Sequence, residues 1–192
     1  MKNNIKFIVT YFLLTSCSQK HYIKEIVSEK EVSISLIKTY NETYFNLNVP
    51  LEFHLDFNSE KLYSIGHYYI KGNKSMLKGD DYLFFDANTN KRFLLFDGFG
   101  AFNYPKKIYL YDRQLRLSKE EVLVLINKYN PTATIDELQT KNDTIKLISY
   151  KQYRNDNPKF LEEMRKVPDS LTLVISKSGK RENIVSSIKI NW

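Results

Sequence analysis

"PLEFHLDF", residues 50–57, decides the fold. In an extended chain Leu51, Phe53, Leu55 and Phe57 fall on one side, and Glu52, His54 and Asp56 on the other. Alternation with a period of two marks a strand that lays one face on a core and turns the other to water. The same pattern recurs in both directions. "EVSISLIK" (31–38) alternates Val32, Ile34 and Leu36 with polar residues. After the turn residues Asn58, Ser59, Glu60 and Lys61, "LYSIGHYYIK" (62–71) is predicted to fold back on 51–57 as a hairpin. "YLFFD" (82–86) and "RFLLFD" (92–97) flank Ala87-Asn88-Thr89-Asn90 as a second hairpin. "KIYLYD" (107–112), "TIKLISY" (144–150), "LTLVIS" (171–176) and "NIVSSIKINW" (183–192) also read as strands. Ser178-Gly179-Lys180-Arg181 joins the last two.

Two helices interrupt this series. Ser118 followed by Glu121 forms a capping box, with Leu117 and Val122 placed for a hydrophobic staple. That helix should run to Tyr129 and stop at Asn130-Pro131. Pro158 opens the second, whose apolar side is Phe160, Leu161, Met164 and Val167 and whose stop is Pro168. Strands outnumber helices and turn signals come at short intervals. The expected fold is mainly β: an antiparallel, sandwich-like domain with two short helices in the later connections, α+β being the alternative.

The first residues have another character. Lys2 and Lys6, with no acid, precede the apolar run 7–14. A basic start and a short apolar run are the layout of a secretory signal peptide. A spanning helix needs about 20 apolar residues, more than this run holds. Leu14-Thr15-Ser16-Cys17 then places an aliphatic residue and two small ones before the only cysteine. This resembles the lipobox of bacterial lipoproteins. The resemblance covers about the first 20 residues. It implies that the bond between Ser16 and Cys17 is cut and that Cys17 carries a diacylglycerol on its thiol and then an acyl group on its amine. With Ser18 in place of an acid, it further implies the outer membrane, facing the periplasm. Two or more acyl chains hold a protein on a bilayer where one does so only marginally.

The expected organisation is therefore a signal peptide over 1–16, the lipid-bearing cysteine and a short tether over 17–21, and one β-rich domain over 22–192. With one cysteine there is no internal disulfide, so stability must come from the core. Hydrophobic residues at 42% and aromatic residues at 14% suffice for one. The formal charge of +7 falls to +5 once Lys2 and Lys6 leave. Residues 141–192 hold 11 basic and 6 acidic side chains, so the excess sits there. An exported chain does not meet nucleic acid. Anionic lipid or an acidic protein is the counterpart expected for Lys159, Arg165, Lys166, Lys180 and Arg181, against a plain solvated surface as the alternative.

Glu52, His54 and Asp56 stand about 7 Å apart along one strand face, and His67 in the supposed hairpin partner completes a trial metal or hydrolase site. An ordinary solvated face is the simpler reading. Asp86, Asn88, Asn90 and Asp97 imitate the spacing of a calcium loop, yet Lys91 occupies the place where such a loop needs glycine. "DGFGAFNYP" (97–105) brackets Phe99 with Gly98 and Gly100 and adds Phe102 and Tyr104. It is the candidate binding loop, with aromatics tucked into the core as the alternative. No nucleophile elbow and no HExxH is present, no cofactor is expected, and the metal reading stays secondary. The leading expectation is a lipid-anchored envelope protein of a Gram-negative bacterium that binds and does not catalyse, in its sharper form a periplasmic immunity or accessory lipoprotein. The alternatives are an envelope hydrolase or metal-dependent enzyme centred on Glu52, His54 and His67, and a structural component of an envelope assembly.

Overall fold

The computed structural model describes residues 22–56, 62–92, 104–140, 144–177 and 183–192. Twelve strands among them form three antiparallel four-stranded sheets, so the fold is mainly β. The first sheet runs in the order β1 (Ile23–Ile26), β4 (Leu51–Leu55), β8 (Lys107–Asp112), β7 (Tyr82–Asp86). The second is β10 (Thr144–Ser149), β2 (Glu31–Lys38), β3 (Thr43–Asn48), β9 (Arg116–Leu117). The third is β12 (Asn183–Lys189), β11 (Ser170–Lys177), β5 (Leu62–Lys71), β6 (Lys74–Ser75).

The alternation in "PLEFHLDF" does what its period requires. Leu51, Phe53 and Leu55 are buried, while Glu52, His54 and Asp56 are half-exposed. The expected hairpin is not formed, because β4 pairs with β1 and β8, and β5 pairs with β11 and β6. Both strands carry a strongly apolar face, and burial is greater when such faces oppose each other in two layers than when the strands lie edge to edge. The first and third sheets make that sandwich. Tyr69 of β5 meets Tyr82 of β7 edge-on at 5.4 Å between ring centres, and His67 stacks on Phe84 at 4.2 Å. Leu171, Leu173 and Ile175 extend the same core, and β12 pairs with β11 as expected from the last two strand signals.

The second sheet turns Val32, Ile34, Leu47 and Ile145 to the core, where Val122 and Ile126 of α1 (Lys119–Tyr129) and Leu138 of α2 (Ile135–Thr140) join them. The capping box of α1 is present: Ser118 N–H donates to Glu121 Oε2 at 2.7 Å, and Glu121 N–H to Ser118 Oγ at 3.1 Å. The second expected helix is α4 (Pro158–Lys166), with Leu161 buried. Two further helices, α2 and α3 (Tyr150–Asp156), were not expected. Each carried a start signal, since Thr134 precedes Glu137 and Ser149 precedes Gln152 at capping-box spacing. Thr134 N–H donates to Glu137 Oε1, and Gln152 N–H to Ser149 Oγ.

The turn after β7 brings Arg92 back to bridge Phe85, with Asn90 in the left-handed region at φ 56°. The remainder of "RFLLFD", Phe57, the turn at 58–61 and that at 178–181 lie outside the described residues. Among the described residues no helix is long and apolar enough to cross a membrane.

Candidate functional site

The sandwich uses only one face of the first sheet. On its other face, strand alternation places Tyr109, Tyr111 and Arg113 from β8 and its following turn, with Leu83 and Phe85 of β7 beside them. Phe85 and Tyr109 are cross-strand partners whose rings stack 4.9 Å apart, nearly parallel. Tyr111 stands steeply to both, at 5.7 Å from Phe85 and 5.3 Å from Tyr109. In the second sheet, Ser33, Ser35 and Ile37 of β2 share one face, Ser33 being itself buried; Ser33 lies in register with Asn48 of β3 and Lys146 of β10, and Ser35 with Thr144 of β10. These two faces oppose each other across an open cleft of about 730 Å³. That lies within the range of about 300–1,000 Å³ found for small-ligand sites.

Hydrogen bonds cross between the two walls at both Asn46 and Lys30. At one end Asn46 Nδ2 donates to the carbonyl of Asp112 at 3.0 Å, and Tyr44 hydroxyl to that of Arg113 at 3.1 Å. At the other, Lys30 Nζ donates to the Ala87 carbonyl at 3.0 Å and to Asn90 Oδ1 at 2.8 Å while lying 4.6 Å above the Tyr109 ring. Asn90 Oδ1 also accepts from the Tyr109 hydroxyl at 3.3 Å. Burial, with Glu52 and Asp86 nearby, pushes the Tyr109 phenol up to about 12. Burial, then Tyr109 and Glu31, pushes the Tyr111 phenol up as well. Both are therefore neutral hydroxyls near pH 7. Two charges on the polar wall pair with each other, Lys146 Nζ to Glu31 Oε2 at 2.8 Å.

The trial site of Glu52, His54 and His67 does not come together. Glu52 and His54 lie on the outer face of the first sheet, and His67 lies between the first and third sheets against Phe84, so the first sheet separates them. Glu52 accepts from Ser28 Oγ at 2.6 Å and is the register neighbour of Tyr109, which puts it at the cleft's margin. His54 sits between Lys24 and Lys107 in register, a cationic setting unfavourable for a metal. No group of three metal-ligating side chains occurs among the described residues. His67 is pushed down to about 3, first by burial and then by Lys78. Its Nδ1 is 3.0 Å from the Tyr104 hydroxyl, so Tyr104 of the candidate loop packs inward.

Phe99 and Phe102 lie outside the described residues, as do Ser16, Cys17, Lys180, Arg181 and Asp97. Asp86 serves its own turn, accepting from Asn88 N–H and from the Thr89 hydroxyl. Of the basic residues on α4, Lys166 pairs with Glu163 and Arg165 Nη2 donates to the Trp192 carbonyl at 3.0 Å. Lys159 is exposed. The cleft was missed in the sequence, though a signal was available. In "KIYLYD" and "YLFFD" Tyr109, Tyr111 and Phe85 alternate with core residues, so three aromatics had to occupy the non-core face.

A scan against protein-family models, a search of the curated proteins and a search of the solved structures each return no match.

Proposed function

We propose that this chain is a lipid-anchored cell-envelope protein of a Gram-negative bacterium that acts by binding, and that the cleft between the first and second sheets is its ligand site. The observation supporting binding is the opposition of Phe85, Tyr109 and Tyr111 to a wall of Ser33, Ser35, Asn48 and Thr144 with Ile37, Glu31 and Lys146 among them, in a space of ligand size. Phe85 and Tyr111 are half-buried beside buried Tyr109, so the row turns part of its aromatic surface to the cleft, which suits a partner that is itself partly apolar. The anchor is supported by the sequence Leu14-Thr15-Ser16-Cys17 and the basic, then apolar run before it. A periplasmic immunity or accessory role is the narrower form of this reading, with the membrane and an anionic lipid or acidic protein as further contacts. Lys159, Arg165 and Lys166 of α4 are exposed basic groups for such contacts.

Metabolic labelling with a palmitate analogue tests the anchor. Wild type should take up label and partition with membranes, and Cys17→Ala should do neither. Equal labelling of both removes the anchor and the location with it. A photo-crosslinking residue at Thr144 tests the site. It should capture cell-envelope material that the same residue at Tyr68, on the third sheet, does not.

A further inference from the structure

We propose that the free edge of β12 docks a second copy of this chain, so that two four-stranded third sheets run on as one. β12 is the last strand of its sheet and pairs only with β11. Ile190 N–H donates to the Asp169 carbonyl at 2.9 Å, so even-numbered residues here turn their main-chain groups to β11. Odd-numbered residues turn theirs outward. Asn191 N–H, just past the strand, points that way and donates to Glu25 Oε2 at 2.8 Å. No bond among the described residues takes up the outward groups of Val185 and Ser187.

The other edge strands are occupied or short. Along β7, the Tyr82 carbonyl accepts from Gly79 N–H, and Asp86 N–H donates to the Lys91 carbonyl. On β10 the Lys146 carbonyl accepts from Asn130 Nδ2 at 2.9 Å. β6 and β9 have two residues each, and β1 has four. β12 has seven, in unbroken register with β11, without proline or bulge. Its one charge, Lys189, stands at the end. An edge of this kind is open to a further strand, and chains commonly blunt those that take no partner.

The sequence of β12 selects a second copy as that strand, because it is complementary to itself. In antiparallel pairing about Ser186, Val185 and Ser187 of one copy face Ser187 and Val185 of the other, and their outward groups bond in pairs. On the core side Ile184 faces Ile188 of the second copy. Both are only partly buried in the single chain, and pairing covers them. Lys189 faces Asn183, which leaves the two lysines about 20 Å apart at about 3.4 Å per residue. No like charges meet. The two-fold axis stands perpendicular to the joined sheet, so both first sheets lie on one side of it. β1, whose Glu25 holds Asn191, is then on the same side in both copies, which suits two chains anchored to one membrane.

Cysteine crosslinking of the full chain in detergent, under mild copper–phenanthroline oxidation, tests the interface. Residue 186 lies on the axis, where directly opposed Cα atoms are about 4.5 Å apart, a spacing that a disulfide spans. Ser186→Cys should therefore give a linked pair well above the wild-type level, which measures any linkage through Cys17. Tyr68→Cys, exposed on β5 and separated from the edge by β11, should not. Two double variants test the register by sedimentation in density-matched detergent. Val185 and Ser187 are both exposed, so the fold tolerates changes there. With Val185→Lys and Ser187→Lys together, like charges face each other twice, and the dimer dissociation constant should rise at least about tenfold. With Val185→Lys and Ser187→Glu, opposite charges face each other, and it should stay within about threefold of wild type. A single-chain mass at every concentration, no linkage of Ser186→Cys, or equal effects of the two double variants overturns the proposal. Linkage of Ser186→Cys to a different protein, and none to itself, overturns the second copy as the occupant.

Discussion

Asp112 and Asp169, fifty-seven positions apart in sequence, meet at one phenol: Tyr69 hydroxyl lies 3.1 Å from Oδ2 of Asp112 and 3.2 Å from Oδ2 of Asp169. Both carboxyls are buried, and Lys71 Nζ reaches Asp112 at 2.6 Å. A phenol has one hydrogen to give, so two ionised carboxylates cannot both receive it. Burial pushes the Asp169 carboxyl up, against the lowering effect of its bonds from Trp192 and Tyr69, the Lys71 charge and the Gly72 amide. Of the two, Asp169 is the carboxyl whose protonated form burial favours.

Its contribution to stability follows in sign. A raised pKa means that the folded state binds this proton more tightly, so the contribution is complete below the ordinary value near 3.8 and is lost as pH rises through the folded value. Asp169→Asn, which cannot ionise, should lose less stability than wild type between pH 4 and neutrality. Urea unfolding at a series of pH values measures this, and parallel profiles would refute the upward shift of Asp169.

His67 acts in the opposite direction. Held down to about 3 by burial, it stays neutral in the fold but protonates near 6.5 when the chain unfolds. Its share of stability is present above about pH 6.5 and is lost as pH falls toward 3. In proton NMR its ring signals should not titrate between pH 5 and 8. A midpoint near 6.5 in the folded protein would contradict the buried stacking on Phe84.

Phe53 is fully buried, while His54 beside it lies on the outer face. Phe53→Ala should cost about 3–5 kcal/mol, as large core truncations do. His54→Ala should cost less than about 0.5 kcal/mol, the usual range for surface positions. Denaturant titration compares them directly, and similar costs would mean that the register of β4 is wrong.

Trp192, the only tryptophan, is completely buried and donates from Nε1 to Asp169 Oδ2 at 3.1 Å. Trp192→Phe should destabilise by about 1–3 kcal/mol, the cost of leaving a buried acceptor without its donor. In wild type the indole emission should move to longer wavelength in the same urea transition that far-UV circular dichroism reports. An indole already emitting as if in water before unfolding would refute this packing.

Ser118 caps α1 and completes a reciprocal box with Glu121. Ser118→Ala should cost about 1 kcal/mol, within the spread of about 0.5–2 for such caps. Ser149, the cap of α3, gives a second measurement of the same kind, with its bond to Gln152 lost in Ser149→Ala.

What the sequence determined is what depends on near neighbours. The period-two face of residues 51–55 specifies which side chains are buried, because pleating alone assigns them to one face, whereas in residues 31–38 Ser33 is buried beside Val32 and Ile34 and Leu36 is only half-buried. The box from Ser118 to Glu121 and Pro158 at a first helical position place α1 and α4, because caps act within one turn. What only the tertiary structure decided is which faces and edges meet. The turn at 58–61 suggested pairing between β4 and β5, yet the two apolar faces gained more by opposing each other, and β4 found its partners in β1 and in β8. That choice sent His67 into the core and left Glu52 and His54 outside, which dispersed the proposed triad. It also left Phe85, Tyr109 and Tyr111 facing Ser33 and Ser35 across the cleft. These residues belong to strands whose pairing spans tens of residues, and no local pattern encodes which sheet stands opposite which.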